Sequence, residues 1–71
     1  MANDKKVPTM KIARISAGLS QKNVADEMGM HEQTYAKYEK HPELMSIKDA
    51  KLFSRIVHKD VSDIFFGSGS N

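Results

Sequence analysis

The chain contains no cysteine among its 71 residues. Without thiols it can form neither a disulfide scaffold nor a thiolate metal site. No apolar run approaches the roughly 18 residues that a membrane helix needs. The opening segment, MANDKKVPTM, has no apolar stretch of the secretory kind. We therefore expect a cytoplasmic protein with no membrane partner.

The composition predicts one small folded domain. Hydrophobic residues make up 39% of the chain, which is typical of a globular domain and not of a disordered tail. The formal net charge is +2, so an anionic partner is favoured, but only weakly. We expect the domain to span residues 8–66, between flexible segments at 1–7 and 67–71.

Helix-starting and helix-ending residues divide this domain into five short segments. The apolar residues of each segment recur at helical spacing, and no alternating strand pattern is present. We expect the second helix near 20–28 and the third near 31–40. The residues that should begin or end helices are Pro8, Gly18, Ser20, Gly29, Pro42, Ser46 and Asp60.

The apolar stripes also predict the core. Met10 and Ala17 share the stripe of Ala13, and Ile47 and Ala50 share that of Phe53. Tyr35 and Tyr38 could stack on bases, but their spacing favours inward packing. The predicted core residues are Ala13, Val24, Ala25, Met28, Tyr35, Tyr38, Phe53, Val57, Ile64 and Phe65.

The third helix has an unusual outer face. When residues are placed at steps of about 100°, one arc of roughly 140° collects polar and small side chains. These are Glu32, Gln33, Ala36, Lys37 and Lys40. The second and third helices are joined by a tight turn at Gly29, and the small Ala25 allows them to approach closely. Such a pair is a helix-turn-helix, whose second helix can enter the major groove of DNA.

The stretch GLSQKNVADEMGMHEQTYAKYEK carries a more specific signal. It resembles the phage repressor and Cro type of helix-turn-helix family, the XRE-like regulators. The matching residues are Gly18, Leu19, Ser20, Gln21, Ala25, Gly29, Met30, Tyr38 and Glu39. The resemblance covers roughly residues 8–66 and implies an all-α, compact five-helix domain like that of lambda repressor. The sequence departs from the family at His58 and Lys59, where a glycine and an apolar residue are common.

The resemblance implies a role for each matching residue. Glu32, Gln33, Ala36 and Lys37 stand at positions that read bases of double-stranded DNA. Phosphate contacts are implied for Ser20, Gln21, Lys22 and Lys40. Arg14 and Glu39 match a pair that bridges the first helix to the end of the third.

Other functions find little support in the sequence. The histidines lack metal-ligand spacing, and no carboxylate pair lies in a predicted cleft, so we expect no metal, cofactor, small-molecule substrate or catalysis. The chain should act as a homodimer or with a partner repressor, through apolar residues at Leu44, Met45 and Phe66. The predicted function is a Cro-like or repressor-like switch protein of a phage or prophage. The alternative is an antirepressor or co-repressor that binds a partner repressor and binds DNA weakly.

Overall fold

The computed structural model of the chain describes residues 9–65. This part forms the helices α1 (Thr9–Ser16), α2 (Gln21–Met28), α3 (Glu32–Lys40), α4 (Ile47–Val57) and α5 (Val61–Phe65), with a 3₁₀ turn at Pro42–Leu44. No strand occurs among the described residues. The all-α prediction and the five helices are therefore confirmed. Pro8, Phe66 and the segments predicted to be flexible, 1–7 and 67–71, lie outside the described residues.

Short-range hydrogen bonds explain where the helices begin. The Ser20 hydroxyl accepts a hydrogen bond from the Asn23 amide at 2.9 Å, and that of Ser46 accepts one from the Asp49 amide at 3.0 Å. Each bond satisfies an amide that has no partner inside its own helix. Gly18, just beyond α1, has a φ of +76°, a conformation that glycine adopts cheaply. The caps predicted at these positions are confirmed.

All five helices contribute to the core. It contains Met10, Ala13, Val24, Ala25, Tyr35, Ala50, Phe53, Val57 and Ile64. Most of the predicted core residues are thus confirmed. Met28, Tyr38 and Phe65 are the exceptions, because they are only half-buried and pack against the core from outside.

Two stripe residues do not point inward as predicted. Ala17 is exposed, and 66% of Ile47 is accessible to solvent. Ala17 lies beyond the last residue of α1, and Ile47 is the first residue of α4. Helical spacing continues through both positions, but each lies at or beyond the end of its helix.

His58 ends α4 in an unusual conformation. Its φ is +59°, and it is the one described non-glycine residue with a positive φ. Its amide donates to the carbonyl oxygens of Arg55 and Ser54, as in a left-handed helix cap. Glycine is preferred at such positions, so His58 carries local backbone strain.

Candidate nucleic-acid interface

The turn between α2 and α3 is short and closed by backbone hydrogen bonds. Gly29 has a φ of +74°, and its amide donates to the carbonyl of Asp26 at 3.1 Å. The Met30 amide donates to the carbonyl of Ala25 at 3.0 Å. Ala25 is only 1% exposed, because its small side chain lies where the two helices meet. The sequence-predicted helix-turn-helix is present, and it sets α3 against α2.

The two sides of α3 differ sharply in burial. Tyr35 is completely buried and Glu39 nearly so. The residues predicted to read bases lie on the other side, where Glu32, Gln33 and Lys37 are exposed and Ala36 is half-buried. Lys40, predicted to contact phosphate, is exposed as well. The predicted residues therefore share one accessible surface, which we call the α3 face: Glu32, Gln33, Ala36, Lys37 and Lys40.

Charges along α3 follow the helix dipole. Glu32 lies in the first turn, and Lys37 and Lys40 lie in the last. A carboxylate near the N-terminus and ammonium groups near the C-terminus both stabilise a helix. The Lys37 ammonium also lies 5.7 Å from the centre of the Tyr38 ring, a cation–π distance. The positive charge of the α3 face is thus concentrated at its C-terminal end.

A buried ion pair fastens α3 to α1. Arg14 Nε donates to Glu39 Oε2 at 2.6 Å, and both side chains are largely buried. Arg14 also donates through Nη1 to the backbone carbonyl of Leu19 at 3.0 Å, just before α2. The pair implied by the family resemblance is therefore present. It joins α1, the segment before α2 and the last turn of α3.

Two further donors complete the surroundings of Glu39. The Tyr35 hydroxyl donates to Oε2 at 2.6 Å, and Gln21 Nε2 donates to Oε1 at 2.9 Å. Because a carboxylate only accepts hydrogen bonds, the Gln21 amide must turn its nitrogen towards Glu39. One of its two N–H donors is used there, and the second has no acceptor within residues 9–65. We refer to Arg14, Gln21, Tyr35 and Glu39 together as the Glu39 network.

The network shifts the ionisation of its members. Burial by itself would raise the pKa of Glu39, but the hydrogen bonds from Arg14, Tyr35 and Gln21 outweigh it, so the pKa is lower than usual. The hydrogen bond to Glu39 raises the pKa of Arg14. Burial, and then the hydrogen bond to Glu39, raise the pKa of the Tyr35 hydroxyl. Near neutral pH the network is therefore a carboxylate with a guanidinium and two neutral donors.

The remaining predicted phosphate contacts lie around the start of α2. Ser20 and Lys22 are exposed, and Gln21 is half-buried because its side chain reaches Glu39. Lys22 forms an exposed pair with Asp26 at 3.5 Å. Such a pair is weak and easily exchanged for another anion. The Ser20 hydroxyl oxygen accepts the hydrogen bond that caps α2, and its O–H group can still donate to an outside acceptor such as a phosphate oxygen.

Only part of the predicted apolar interface is exposed in the part of the chain that the structure describes. Leu44 is 55% exposed, whereas Met45 is half-buried and packs against the core, and Phe66 lies outside the described residues. Ile47 was not predicted to be exposed, yet it is the most exposed large hydrophobic residue of the described part. The sequence could have indicated this exposure, because Ile47 is the first helical residue after the cap at Ser46.

The Tyr35 hydroxyl has a part in the site that was not predicted from the sequence. Tyr35 was expected in the core for its ring alone. Its spacing of one helical turn from Glu39 was the available signal, because residues four apart on a helix face each other.

Within residues 9–65 there is no group of side chains able to bind a metal ion. The same residues contain no helix that is long and apolar enough to cross a membrane.

Comparison with known proteins agrees with this geometry. The family model described as helix-turn-helix matches residues 10–60, which is most of the chain. The comparisons found no match among curated proteins and none among solved structures. The matched range runs from α1 to the residue before α5 and includes the whole α2–turn–α3 unit. The chain therefore belongs to the helix-turn-helix family of XRE-like, DNA-binding transcriptional regulators.

Proposed function

We propose that this protein is a Cro-like or repressor-like switch protein of a phage or prophage, which reads operator DNA in the cytoplasm by placing α3 in the major groove. The observation that carries the proposal is the two-sided character of α3. Glu32, Gln33 and Lys37 are exposed along one side, while Glu39 anchors the other side to α1 and α2. A reading helix needs accessible polar side chains on a rigid support, because loose side chains discriminate poorly.

Each of the four α3-face residues predicted to read bases has a chemically suitable partner. Gln33 matches adenine, because its amide can both accept from N6 and donate to N7. Lys37 can donate to guanine O6 or N7, and the Glu32 carboxylate can accept from cytosine N4. Ala36 is small enough to contact a thymine methyl group. The operator should therefore contain a mixed sequence and not a simple A·T tract.

Phosphate contacts orient the domain on the duplex. The free N–H of Gln21 and the first backbone amides of α2 supply donors beside Ser20. Positive charge comes from two exposed ammonium groups, that of Lys22 on α2 and that of Lys40 at the C-terminal end of the α3 face. Such contacts carry no sequence information, but they fix the depth and angle at which α3 enters the groove.

A second chain is part of this proposal. A single module of this kind covers only roughly 600–1,000 Å² on DNA, which limits discrimination. The protein should therefore act as a homodimer or in a complex with a partner repressor, and the exposed Leu44 lies close to the end of α3. Dimers of this kind occupy half-sites about one helical turn apart.

One observation favours a second candidate function. Glu32 places a carboxylate on the α3 face and reduces the positive field that phosphates would meet. An antirepressor or co-repressor that binds a partner repressor would tolerate this charge better than an autonomous DNA-binding protein. In that case the purified chain would form a complex with the repressor encoded beside it and would have negligible affinity for duplex DNA.

The deciding experiment is selection of duplexes from a random pool, followed by anisotropy titrations at several salt concentrations. The proposal requires enrichment of one sequence and a binding constant that falls steeply with salt. Gln33→Ala should reduce the preference for that sequence, whereas the control Lys48→Ala, on the outside of α4, should preserve it. Absence of any enriched sequence, together with tight binding to a co-encoded repressor, would favour the second candidate.

A further inference from the structure

Tyr35 lies too deep in the protein to contact DNA, yet its hydroxyl is connected to a residue at the surface. The side chain of Tyr35 is completely buried. Its hydroxyl donates to Glu39, and Glu39 also accepts a hydrogen bond from Gln21, which is half-buried at the start of α2. Two successive hydrogen bonds therefore join a core tyrosine to a side chain at the proposed DNA surface.

The ion pair between Arg14 and Glu39 is asymmetric. A guanidinium frequently holds a carboxylate through two parallel hydrogen bonds. Here Arg14 Nε lies 2.6 Å from Oε2, whereas its Nη2 lies 3.5 Å from Oε1. Only the shorter of these contacts is a strong hydrogen bond, so Oε1 is open to another donor. Gln21 Nε2 donates to it at 2.9 Å.

The Tyr35 hydroxyl favours this asymmetry. It donates to Oε2 at 2.6 Å, so that this oxygen carries two short hydrogen bonds while Oε1 carries one. Tyr35 stands one turn before Glu39 on the same helix, and its ring is held in the core against Phe53. Without the hydroxyl, the carboxylate could turn until both Arg14 nitrogens reach it. The guanidinium would then compete with Gln21 for Oε1, and a two-bond pair between opposite charges is the stronger interaction.

We propose that Tyr35 is a positioning residue for DNA binding. Its hydroxyl holds the Glu39 carboxylate so that Oε1 faces α2, and Oε1 in turn holds the Gln21 amide so that its second N–H is available to a phosphate. That N–H has no acceptor within residues 9–65. The contact between Gln21 and a phosphate rests on the proposed function, whereas the dependence of the Gln21 orientation on Tyr35 is a property of the free protein.

A residue that acts in this way predicts a particular kind of defect in DNA binding. Tyr35→Phe should weaken binding to all duplexes about equally, because a phosphate contact carries no sequence information. The salt dependence of binding should stay unchanged, because a neutral amide neutralises no phosphate charge. Gln21→Ala should weaken binding by roughly tenfold, the size expected for one hydrogen bond to a charged group, and Tyr35→Phe should reproduce most of that loss.

The test begins with the NMR signals of the Gln21 side-chain amide in the free protein. In the wild type, the proton bonded to Glu39 should be shifted downfield and should exchange slowly with water. Tyr35→Phe should return both protons to the shifts and exchange rates of an exposed glutamine. Tyr38→Phe is the matched control, because it removes a hydroxyl outside the Glu39 network, and it should leave the signals unchanged. Thermal melting sets a temperature at which all variants are folded.

Anisotropy titrations with the duplex selected from the random pool complete the test. The double variant of Tyr35→Phe and Gln21→Ala should bind no more weakly than Gln21→Ala alone, because the hydroxyl acts through Gln21. Such non-additivity is expected of residues that act in one hydrogen-bond network. Tyr38→Phe should bind the duplex like the wild type.

Several results would overturn the inference. The first needs no variant: a wild type whose Gln21 protons already behave like those of an exposed glutamine. The others are Gln21 signals that stay unchanged in Tyr35→Phe, a Tyr35→Phe variant that binds the duplex as tightly as the wild type, and losses that add in the double variant. A Gln21 amide that responds to Tyr35→Phe in a protein that binds no duplex would refute the proposed function alone.

Discussion

Tyr35 and Arg14, from two different helices, donate hydrogen bonds to the same oxygen of Glu39. Both donor–acceptor distances to Oε2 are 2.6 Å. Gln21 occupies the other oxygen, so the carboxylate at the end of α3 is bonded to α1, to α2 and to the preceding turn of its own helix. The orientation of the α3 face thus depends on one buried carboxylate and its three partners.

Tyr35→Phe should test the hydroxyl separately from the ring. The ring stacks on Phe53 at a centroid distance of 6.0 Å, and phenylalanine preserves that packing. Losing a hydrogen bond to a charged group should lower the free energy of unfolding by roughly 1.5–3 kcal/mol in a urea titration. Tyr38→Phe is the matched control, because Tyr38 is half-buried beside the core and takes no part in the Glu39 network. An equal loss in both variants would contradict the assigned role.

Arg14→Ala should be more damaging, because it leaves the Glu39 carboxylate buried without its cation. We expect a loss of about 3–5 kcal/mol, enough to unfold much of a small domain. Replacing both partners by methionine should cost less than replacing Arg14 alone, since no buried charge then remains. Circular dichroism during urea unfolding measures both. If the double variant is less stable than Arg14→Met, the attraction within the ion pair contributes more to stability than the cost of burying an unpaired carboxylate.

Acid should weaken the domain through Glu39. Its pKa is lower in the folded state than in the unfolded chain, where a glutamate titrates at about 4.3. The stabilisation is therefore complete above that pH and is lost as the pH falls through the lower, folded-state pKa. The free energy of unfolding of the wild type should therefore decrease as the pH is lowered from neutral to acid. Glu39→Gln should be less stable at neutral pH, and its free energy of unfolding should depend less steeply on pH. An unchanged pH dependence would show that Glu39 is not its source.

The two kinds of DNA contact should respond differently to mutation. Gln33→Ala should cost roughly 1–3 kcal/mol on the selected site and relax the preference at one base pair. Lys40→Ala should weaken binding to all sequences about equally and reduce the salt slope by about 1. Anisotropy titrations on matched and mismatched duplexes separate the two effects. If Gln33→Ala weakens every duplex to the same extent, Gln33 does not read a base.

His58→Gly should stabilise the protein. A positive φ such as that of His58 costs an ordinary residue roughly 1–2 kcal/mol. Glycine avoids this cost but loses more conformational entropy on folding, so only part of the free energy is regained. We expect a net gain of about 0.5–1 kcal/mol in thermal or urea unfolding. Lys59→Gly is the control, because Lys59 lacks a positive φ and glycine there should be neutral or destabilising. A less stable His58→Gly variant would mean that the imidazole makes a compensating contact.

The sequence by itself determined the helix boundaries, because these depend on residues close together in the chain. Ser20 and Ser46 each cap an amide three positions ahead, and Gly18 and Gly29 each adopt the left-handed conformation that ends a helix. The inward position of Tyr35 also followed from local periodicity. The family was recognisable from the sequence for a related reason, since its motif lies almost entirely within the two adjacent helices α2 and α3.

Only the tertiary structure decided which periodic residues are covered and how the buried polar groups pair. Ala17 and Ile47 continue their helical stripes, yet both are exposed. The burial of a side chain depends on the length and angle of its neighbours, which helical periodicity does not encode. Glu39 likewise gains donors from α1 and α2, 25 and 18 positions away in the chain, and only the packing of three helices brings those atoms within hydrogen-bonding distance.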